Sequence, residues 1–288
     1  MGETVEMIDL HNHILPGLDD GPQTMEESIR MCRIAYQDGI RTIVATPHTL
    51  NGVYQNGKSI ILSKVDELND ALNNSELKLD SAIQNLSEPE GSPSGAEAPL
   101  GRSLSRRPQS EIDLKILPGS DVRLCETTLQ QVDQGEAVTI GDGGKYIMIE
   151  FPSQAIPYQA ERVLFQLLGR GLIPIISHPE RNLDIWRRPG RYDEIIKMGC
   201  LGQVTAMSLT GEFGPKVRQW AERLLKSWLV HFIASDAHSP NGRPPILSAA
   251  VKAAAKIVGK KEAEKMVTEY PKAILDGKKP NVPEPLSP

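Results

Sequence analysis

Seven short runs rich in valine and isoleucine recur along the chain, each followed by turn residues and then a stretch with helical spacing. This alternation narrows the fold more than any other feature. The runs are Val5–Leu10, Thr42–Ala45, Leu114–Leu117, Tyr146–Phe151, Ile173–Ser177, Leu201–Val204 and His231–Ser235. Helices are expected at about 24–38, 59–75, 125–134, 157–170, 191–199, 214–228 and 244–256, with a last one near 260–275. Gly39, Gly169, Gly171 and Gly199 stand where a helix should stop, and Pro157 and Pro215 where one should start. Strands and helices in this order build an α/β fold around a parallel sheet, either open and doubly wound or closed into a barrel.

A length of 288 residues suits one large barrel or two smaller domains, and the motifs below favour one. With 39% hydrophobic and 24% charged residues, the chain can bury a substantial core. Residues 84–111 break the pattern. Ser, Pro, Gly and Glu dominate there and apolar side chains are scarce, so the segment reads as a disordered insertion between the second helix and the third strand. The proline-rich tail, 277–288, is expected to be disordered too, leaving one domain over 1–276. A net charge of −5 argues against the broad basic footprint of a nucleic-acid binder. Cys32, Cys125 and Cys200 are an odd, widely spaced set without a CxxC pair, which fits a reducing compartment better than a disulfide framework. The opening MGETVEM has neither the basic region nor the apolar run of a leader. No stretch approaches the ~18 consecutive apolar residues of a membrane span, so a cytoplasmic location without membrane insertion is expected.

Chemistry gathers at the strand ends. In Ile8-Asp9-Leu10-His11-Asn12-His13, two imidazoles at i and i+2 fall on one side of a strand, where both can reach one metal ion. His48 follows the second run in ATPH, His178 the fifth in ISHPE, and His238 the seventh in ASDAH. The sixth histidine, His231, begins the last run and reads as structural. Carboxylates keep the same company: Asp20 in LDDGP, Asp121 in GSDVR, Glu150 in MIEFP, and Asp236 beside His238. Glu150 ends the run Tyr-Ile-Met-Ile and would be costly to bury without a partner or a metal. Pairing with an arginine, or capping the next helix, is the plainer alternative.

Nitrogen and carboxylate ligands in this number suit Mn, Fe, Zn or Mg and exceed the needs of one ion. Two or three divalent ions sharing carboxylates and an acidified water would make a centre for hydrolysis. Arg181 and Arg243 lie in loops at the same end and could hold phosphate oxygens by paired hydrogen bonds, with surface ion pairs as the plainer alternative. The sequence has no GxGxxG, Walker loop, GxSxG or Cys-x5-Arg motif, which speaks against a nucleotide fold and a cysteine phosphatase.

The segments MIDLHNHILPGLDDGP, TIVATPH, IEFP, ISHPERN and FIASDAHSPNGRPP resemble the PHP (polymerase and histidinol phosphatase) superfamily. Among its branches the match is to the bacterial manganese-dependent protein-tyrosine phosphatases of capsule and exopolysaccharide loci. The resemblance runs from about Val5 to Asp276, the insertion apart. It implies a distorted (β/α)7 TIM-like barrel. It also implies metal ligands at His11, His13, Asp20, His48, Asp121, Glu150, His178, Asp236 and His238, with phosphate held by Arg181 and Arg243. One ion would sit on His11, His13, Asp121 and Asp236, a second on Asp121, Glu150 and His178, and a third on Asp20, His48 and His238. Manganese is the expected metal, and Asp236, Arg181 and Arg243 are the expected catalytic residues. The implied substrate is a phosphotyrosine protein, the tail of a tyrosine autokinase that controls polysaccharide export. Asp121 departs from the relatives' frequent Glu and is one methylene shorter, which reduces its reach as a bridging ligand.

Other functions share parts of this pattern. A small-molecule phosphatase of the histidinol-phosphate kind would keep barrel and metals, and a non-catalytic, metal-stabilised docking module would keep the ligands without turnover. Amidohydrolases also open on HxH but usually employ a strand-end lysine, and no strand end here offers one. A DNA-repair exonuclease is disfavoured by the acidic charge.

Overall fold

The structure is a computed structural model and describes residues 6–49, 51–73 and 112–286. The insertion expected at 84–111 lies outside the described residues. Each of the seven apolar runs forms a strand within two residues of its expected bounds. These are β1 (Met7–Asn12), β2 (Ile40–Ala45), β4 (Lys115–Pro118), β6 (Tyr146–Glu150), β7 (Ile173–Ile176), β8 (Leu201–Thr205) and β9 (Phe232–Ala234). All ladders are parallel. Every residue of β1 and β9 is buried, as expected of parallel strands covered on both faces.

Two further strands, β3 (His48–Thr49) and β5 (Asp121–Arg123), were not expected. They continue β2 and β4 beyond a break. Ala45 pairs with Pro118, and three residues further along both chains His48 pairs with Asp121, so the register is unchanged across the gap. Within the gap Pro47 has no N–H to donate, and its carbonyl takes the Asp121 amide at 3.1 Å while the Thr46 amide turns to Asn12 O at 2.8 Å. The pairing order is β1-β2-β4 in one sheet and β3-β5-β6-β7-β8-β9 in the other. A parallel bridge from Asn12 to Ala237 returns the last strand's end to the first. The result is a curled parallel sheet.

Helices surround this sheet with their apolar faces inward, among them α1 (Met25–Asp38), α2 (Lys58–Asn73), α3 (Thr128–Asp133), α6 (Pro189–Lys197) and α9 (Ser248–Val258). In α4 (Ala160–Gly169) the buried residues Ala160, Val163, Leu164 and Leu167 fall at i, i+3, i+4 and i+7. Pro157 does not start this helix, which begins three residues later, whereas Pro215 does start α8 (Pro215–Lys226). The helix expected near 260–275 is two, α10 (Lys260–Lys265) and α11 (Glu269–Leu275). The carbonyls between them are taken by the sheet: Met266 O accepts from Ile233 N at 3.2 Å and Val267 O from Ile8 N at 2.8 Å, so they cannot serve a helix. Two five-residue helices, α5 (Leu183–Arg187) and α7 (Ala206–Thr210), are too short for periodicity to reveal.

The proline-rich tail makes several contacts over its described residues. Residues 277–286 are joined to the fold by hydrogen bonds. The buried Tyr146 donates its hydroxyl to Lys278 O at 2.7 Å, Lys145 Nζ reaches Gly277 O at 2.6 Å, and Leu286 N donates to Ser227 O at 3.1 Å. An extended proline-rich segment has unpaired carbonyls to offer, and its prolines reduce the entropy lost on docking.

Candidate metal centre

Strand ends bring the nine acidic and imidazole candidates together. His11 and His13 leave the end of β1 side by side, both fully buried, with their Nε2 atoms 3.2 Å apart. What fixes that orientation is the opposite ring nitrogen of each. His11 Nδ1 is 3.1 Å from Gln203 Oε1, His13 Nδ1 is 2.6 Å from Asp19 Oδ2, and His238 Nδ1 is 2.9 Å from the Asp236 carbonyl. Each partner is an acceptor, which assigns the proton to Nδ1 and leaves Nε2 with its lone pair toward the cluster. Two lone pairs at 3.2 Å repel unless a cation or a proton lies between them.

The carboxylates fill the spaces. Asp236 Oδ1 lies 3.5 Å from His11 Nε2 and 3.4 Å from His13 Nε2, and Asp121 Oδ2 is 3.8 Å from His11 Nε2. His48 stands between two groups: its Nδ1 is 3.5 Å from Asp121 and 4.0 Å from Glu150, and its Nε2 is 3.8 Å from Asp20. Asp20 also reaches His238 Nε2 at 3.4 Å, and Glu150 reaches His178 Nε2 at 3.8 Å. Three sets of donor atoms lie within 4.8 Å of one another: His13, Asp20, His48 and His238; His11, His13 and Asp121; and His48, Asp121 and Glu150. The fit of this donor set to cations is tested by its unsatisfied atoms. His48 Nδ1, Asp121 Oδ2 and Glu150 Oε2 are all buried without a hydrogen-bond partner, and all three belong to the last set. Buried acceptors facing one another are stable only around a positive charge.

Titration behaviour has the same origin. Burial drives His11 down to about 3 and His48 down to about 4. Burial also lifts Asp121 well above the carboxylate range and raises Glu150, with the Glu150 charge adding to the shift of Asp121. His13 goes the other way. Burial opposes its charge, but Asp19 and Asp236 outweigh burial and hold it at about 10, so without a cation a proton occupies this crowded point. Two residues of the cluster, His178 and Asp236, have left-handed backbones with φ of +35° and +52°. Strain of this kind gathers where side chains must be aimed at a site.

Arg181 and Arg243 close the open side. Their Nη2 atoms reach Asp236 Oδ2 at 2.6 and 2.7 Å, and with Asp20, His48, Glu150, His178, Asp236 and His238 they line a cleft of about 270 Å³. Deeper still lie His11, His13 and Asp121, each at most 1% exposed. Asp236 therefore turns one oxygen to the imidazoles and the other to the arginines. His231 stands apart and accepts the Gly202 amide at 3.0 Å on Nδ1.

Sequence reasoning missed Asp19, Gln203 and Asp9. Asp19 is adjacent to Asp20, and only the turn separates their roles. The backbone there runs so close that a side chain at Gly21 would come within 2.3 Å of His13 O. Gln203 is a lone amide inside an apolar strand, a signal open to reading. Asp9, raised to about 6 by burial, ties β1 to the end of β9 through Ser235 N at 2.9 Å and Ser235 Oγ at 2.5 Å.

Known proteins resemble this chain along most of its length. It is 35% identical over 237 residues to the tyrosine-protein phosphatase YwqE of Bacillus subtilis, covering 82% of this chain and 79% of that one. It is 35% identical over 241 residues to a putative tyrosine-protein phosphatase CapC of Staphylococcus aureus, covering 84% and 80%. Among solved structures, one from work on YwqE of Bacillus subtilis and CpsB of Streptococcus pneumoniae, described as unique metal-dependent tyrosine phosphatases, superposes with a TM-score of 0.80 at 33% identity. That match covers 98% of this chain and all of the other. No helix among the described residues is long and apolar enough to cross a membrane. Residues 7–85 and 90–276 match the CpsB/CapC family of capsular polysaccharide synthesis, and the chain belongs to that family.

Proposed function

We propose that this chain is a metal-dependent protein-tyrosine phosphatase. The observation that carries the reading is the set of orphaned acceptors on His48, Asp121 and Glu150, of which His48 and Glu150 line one cleft with two arginines and Asp121 lies beneath it. Relatives named as tyrosine-protein phosphatases support the substrate. The proposed ligands of two or three divalent ions, manganese foremost, are His11, His13, Asp20, His48, Asp121, Glu150, His178, Asp236 and His238. The spacing of His11, His13, Asp121 and Asp236 supports a first ion, and that of Asp20, His48 and His238 another. For an ion on Asp121, Glu150 and His178, the 3.8 Å approach of His178 to Glu150 is the support, and His48 Nδ1 competes for the same carboxylates. Asp121 faces both groups despite its short side chain.

Bound ions of this kind supply Lewis acidity toward phosphoryl oxygens and acidify water. The chain's own residues do the rest. Arg181 and Arg243 offer guanidinium forks to the non-bridging oxygens of the monoester. Asp236 Oδ2 accepts from both guanidiniums and holds them at the cleft. Asp19 and Gln203 keep the His11 and His13 rings from turning. In the proposed reaction water forms the new bond to phosphorus as the bond from phosphorus to the phenolic oxygen breaks, and the phenolate takes up a proton, so the products are tyrosine and inorganic phosphate.

The seven strand positions form a distorted (β/α)7 barrel of the PHP kind, with the Asn12–Ala237 bridge in support, as one domain over 1–276. The protein works in the cytoplasm, on the phosphotyrosine tail of an autokinase controlling polysaccharide export. The test compares a phosphotyrosine peptide with histidinol phosphate, in EDTA and across Mn, Fe, Zn and Mg. Turnover of the peptide should vanish in EDTA and return with Mn. Much faster turnover of histidinol phosphate would transfer the site to small-molecule chemistry, and peptide hydrolysis indifferent to EDTA would remove the metals from it.

A further inference from the structure

The two arginines of the cleft share an aromatic neighbour that the chemistry above does not use. Arg181 Cζ lies 5.2 Å from the centre of the Phe213 ring and Arg243 Cζ lies 5.6 Å from it. Both guanidiniums also converge on a single oxygen, Asp236 Oδ2. Asp236 is the carboxylate bonded to both guanidiniums, while Asp20 acts on Arg243 and Glu150 on Arg181 through space, so the pair also gains from negative potential on its other side. The face of an aromatic ring provides that within about 6 Å.

The backbone holds Phe213 at this place. It sits in the turn Gly211–Gly214 between α7 and α8, where Gly211 has φ of +102° and Gly214 of +90°. Gly214 N donates to Gly211 O at 2.9 Å and Gly211 N to Met207 O at 3.0 Å, closing the turn. Glycine takes both backbone conformations without steric cost. The ring is half-buried and does not line the cleft, so its route to the substrate runs through the arginines. Arg243 Nε is buried without a hydrogen-bond partner among the described residues, a donor beside the cleft suited to an oxyanion.

We propose that Phe213 is a positioning residue whose ring holds Arg181 and Arg243 as a pair, and so sets how tightly the cleft grips the phosphate of a monoester. This rests on the cleft being a phosphomonoester site, as proposed above.

The test uses the full chain loaded with Mn, titrated calorimetrically with inorganic phosphate and assayed on a phosphotyrosine peptide. Phe213→Leu and Phe213→Met keep bulk but remove the π face, while Phe213→Tyr keeps the face. Either aliphatic variant that folds and retains its metal should weaken phosphate on the order of tenfold. KM should rise with it while kcat stays within about twofold, and the Tyr variant should match the wild type. Unchanged phosphate affinity in the aliphatic variants, or equal losses for Tyr and Leu, would reduce Phe213 to surface packing. Absence of phosphate binding by the wild type would overturn the role as well. If phosphate binding follows the variants while the peptide is never hydrolysed, the positioning role stands and the tyrosine-phosphatase reading falls.

Discussion

Replacing Asp19 by asparagine removes one charge and almost no volume, which isolates what this carboxylate does for His13. Three donors converge on it: His13 Nδ1 at 2.6 Å and the His48 amide at 2.9 Å on Oδ2, and the Gly21 amide at 2.9 Å on Oδ1. Asparagine has one acceptor oxygen, so in either orientation its NH2 group meets a donor. The charge-assisted bond to His13 is worth roughly 1.5–3 kcal/mol. Loss of such a partner from a metal-bearing imidazole costs ~10–100-fold in metal affinity, or about 1.4–2.7 kcal/mol. The size of the deficit should depend on pH. Although burial opposes it, Asp19 and Asp236 hold the His13 proton up to about 10, so below that pH a metal must displace a proton that Asp19 itself strengthens. Asparagine weakens both competitors. The deficit should therefore be smallest near pH 7 and widen toward pH 9, read by Mn titration against a chelating dye at both values. An Asp19→Asn protein that binds Mn like the wild type at pH 9, or whose deficit shrinks as pH rises, would refute the orienting role.

Three further outcomes follow from the same geometry. His11→Ala together with His13→Ala should abolish phosphatase turnover and at least one equivalent of bound metal, measured by elemental analysis beside activity; full metal content would contradict the ligand assignment. His231 is buried neutral with its pKa depressed to about 4. The unfolded chain takes a proton there below about 6.5, so the stability from this group is complete above that pH and declines as pH falls toward 4, by about 2 kcal/mol at pH 5. His231→Asn keeps an acceptor for Gly202 N and should flatten the acid limb of urea stability curves by that amount, and an identical limb would discount it. Tyr146→Phe removes the hydroxyl bonded to Lys278 O and should cost about 0.5–1.5 kcal/mol in urea unfolding, with earlier proteolysis of the tail; unchanged protease resistance would show that the contact does not hold the tail.

Strand positions were legible because a parallel strand buried on both faces must be an apolar run, and a polar residue ending such a run is conspicuous. That is how Glu150 at the end of β6 and His11 at the end of β1 could be singled out. Features set by distant partners left no local mark. The break between β2 and β3 depends on the Pro47 carbonyl finding Asp121 N, and the split of the 260–275 helix on β1 and β9 taking two of its carbonyls. The roles of Asp19 and Asp20 differ only through what surrounds them.

The histidines show the same division more finely. Their place in the sequence reveals which strand end carries each imidazole, but the nitrogen turned toward the cluster is chosen by the acceptor at the other edge of the ring. For His13 that acceptor is Asp19 in the following loop, for His11 it is Gln203 on β8, and for His238 it is the carbonyl of Asp236. The Asp236 carbonyl is available to His238 while its side chain serves both imidazoles and arginines, within a left-handed backbone at φ +52°. One strained residue thus couples the proposed metal ligands to the proposed phosphate clamp. A change at Asp236 should for that reason disturb both at once, where changes at Asp19 or Phe213 disturb one.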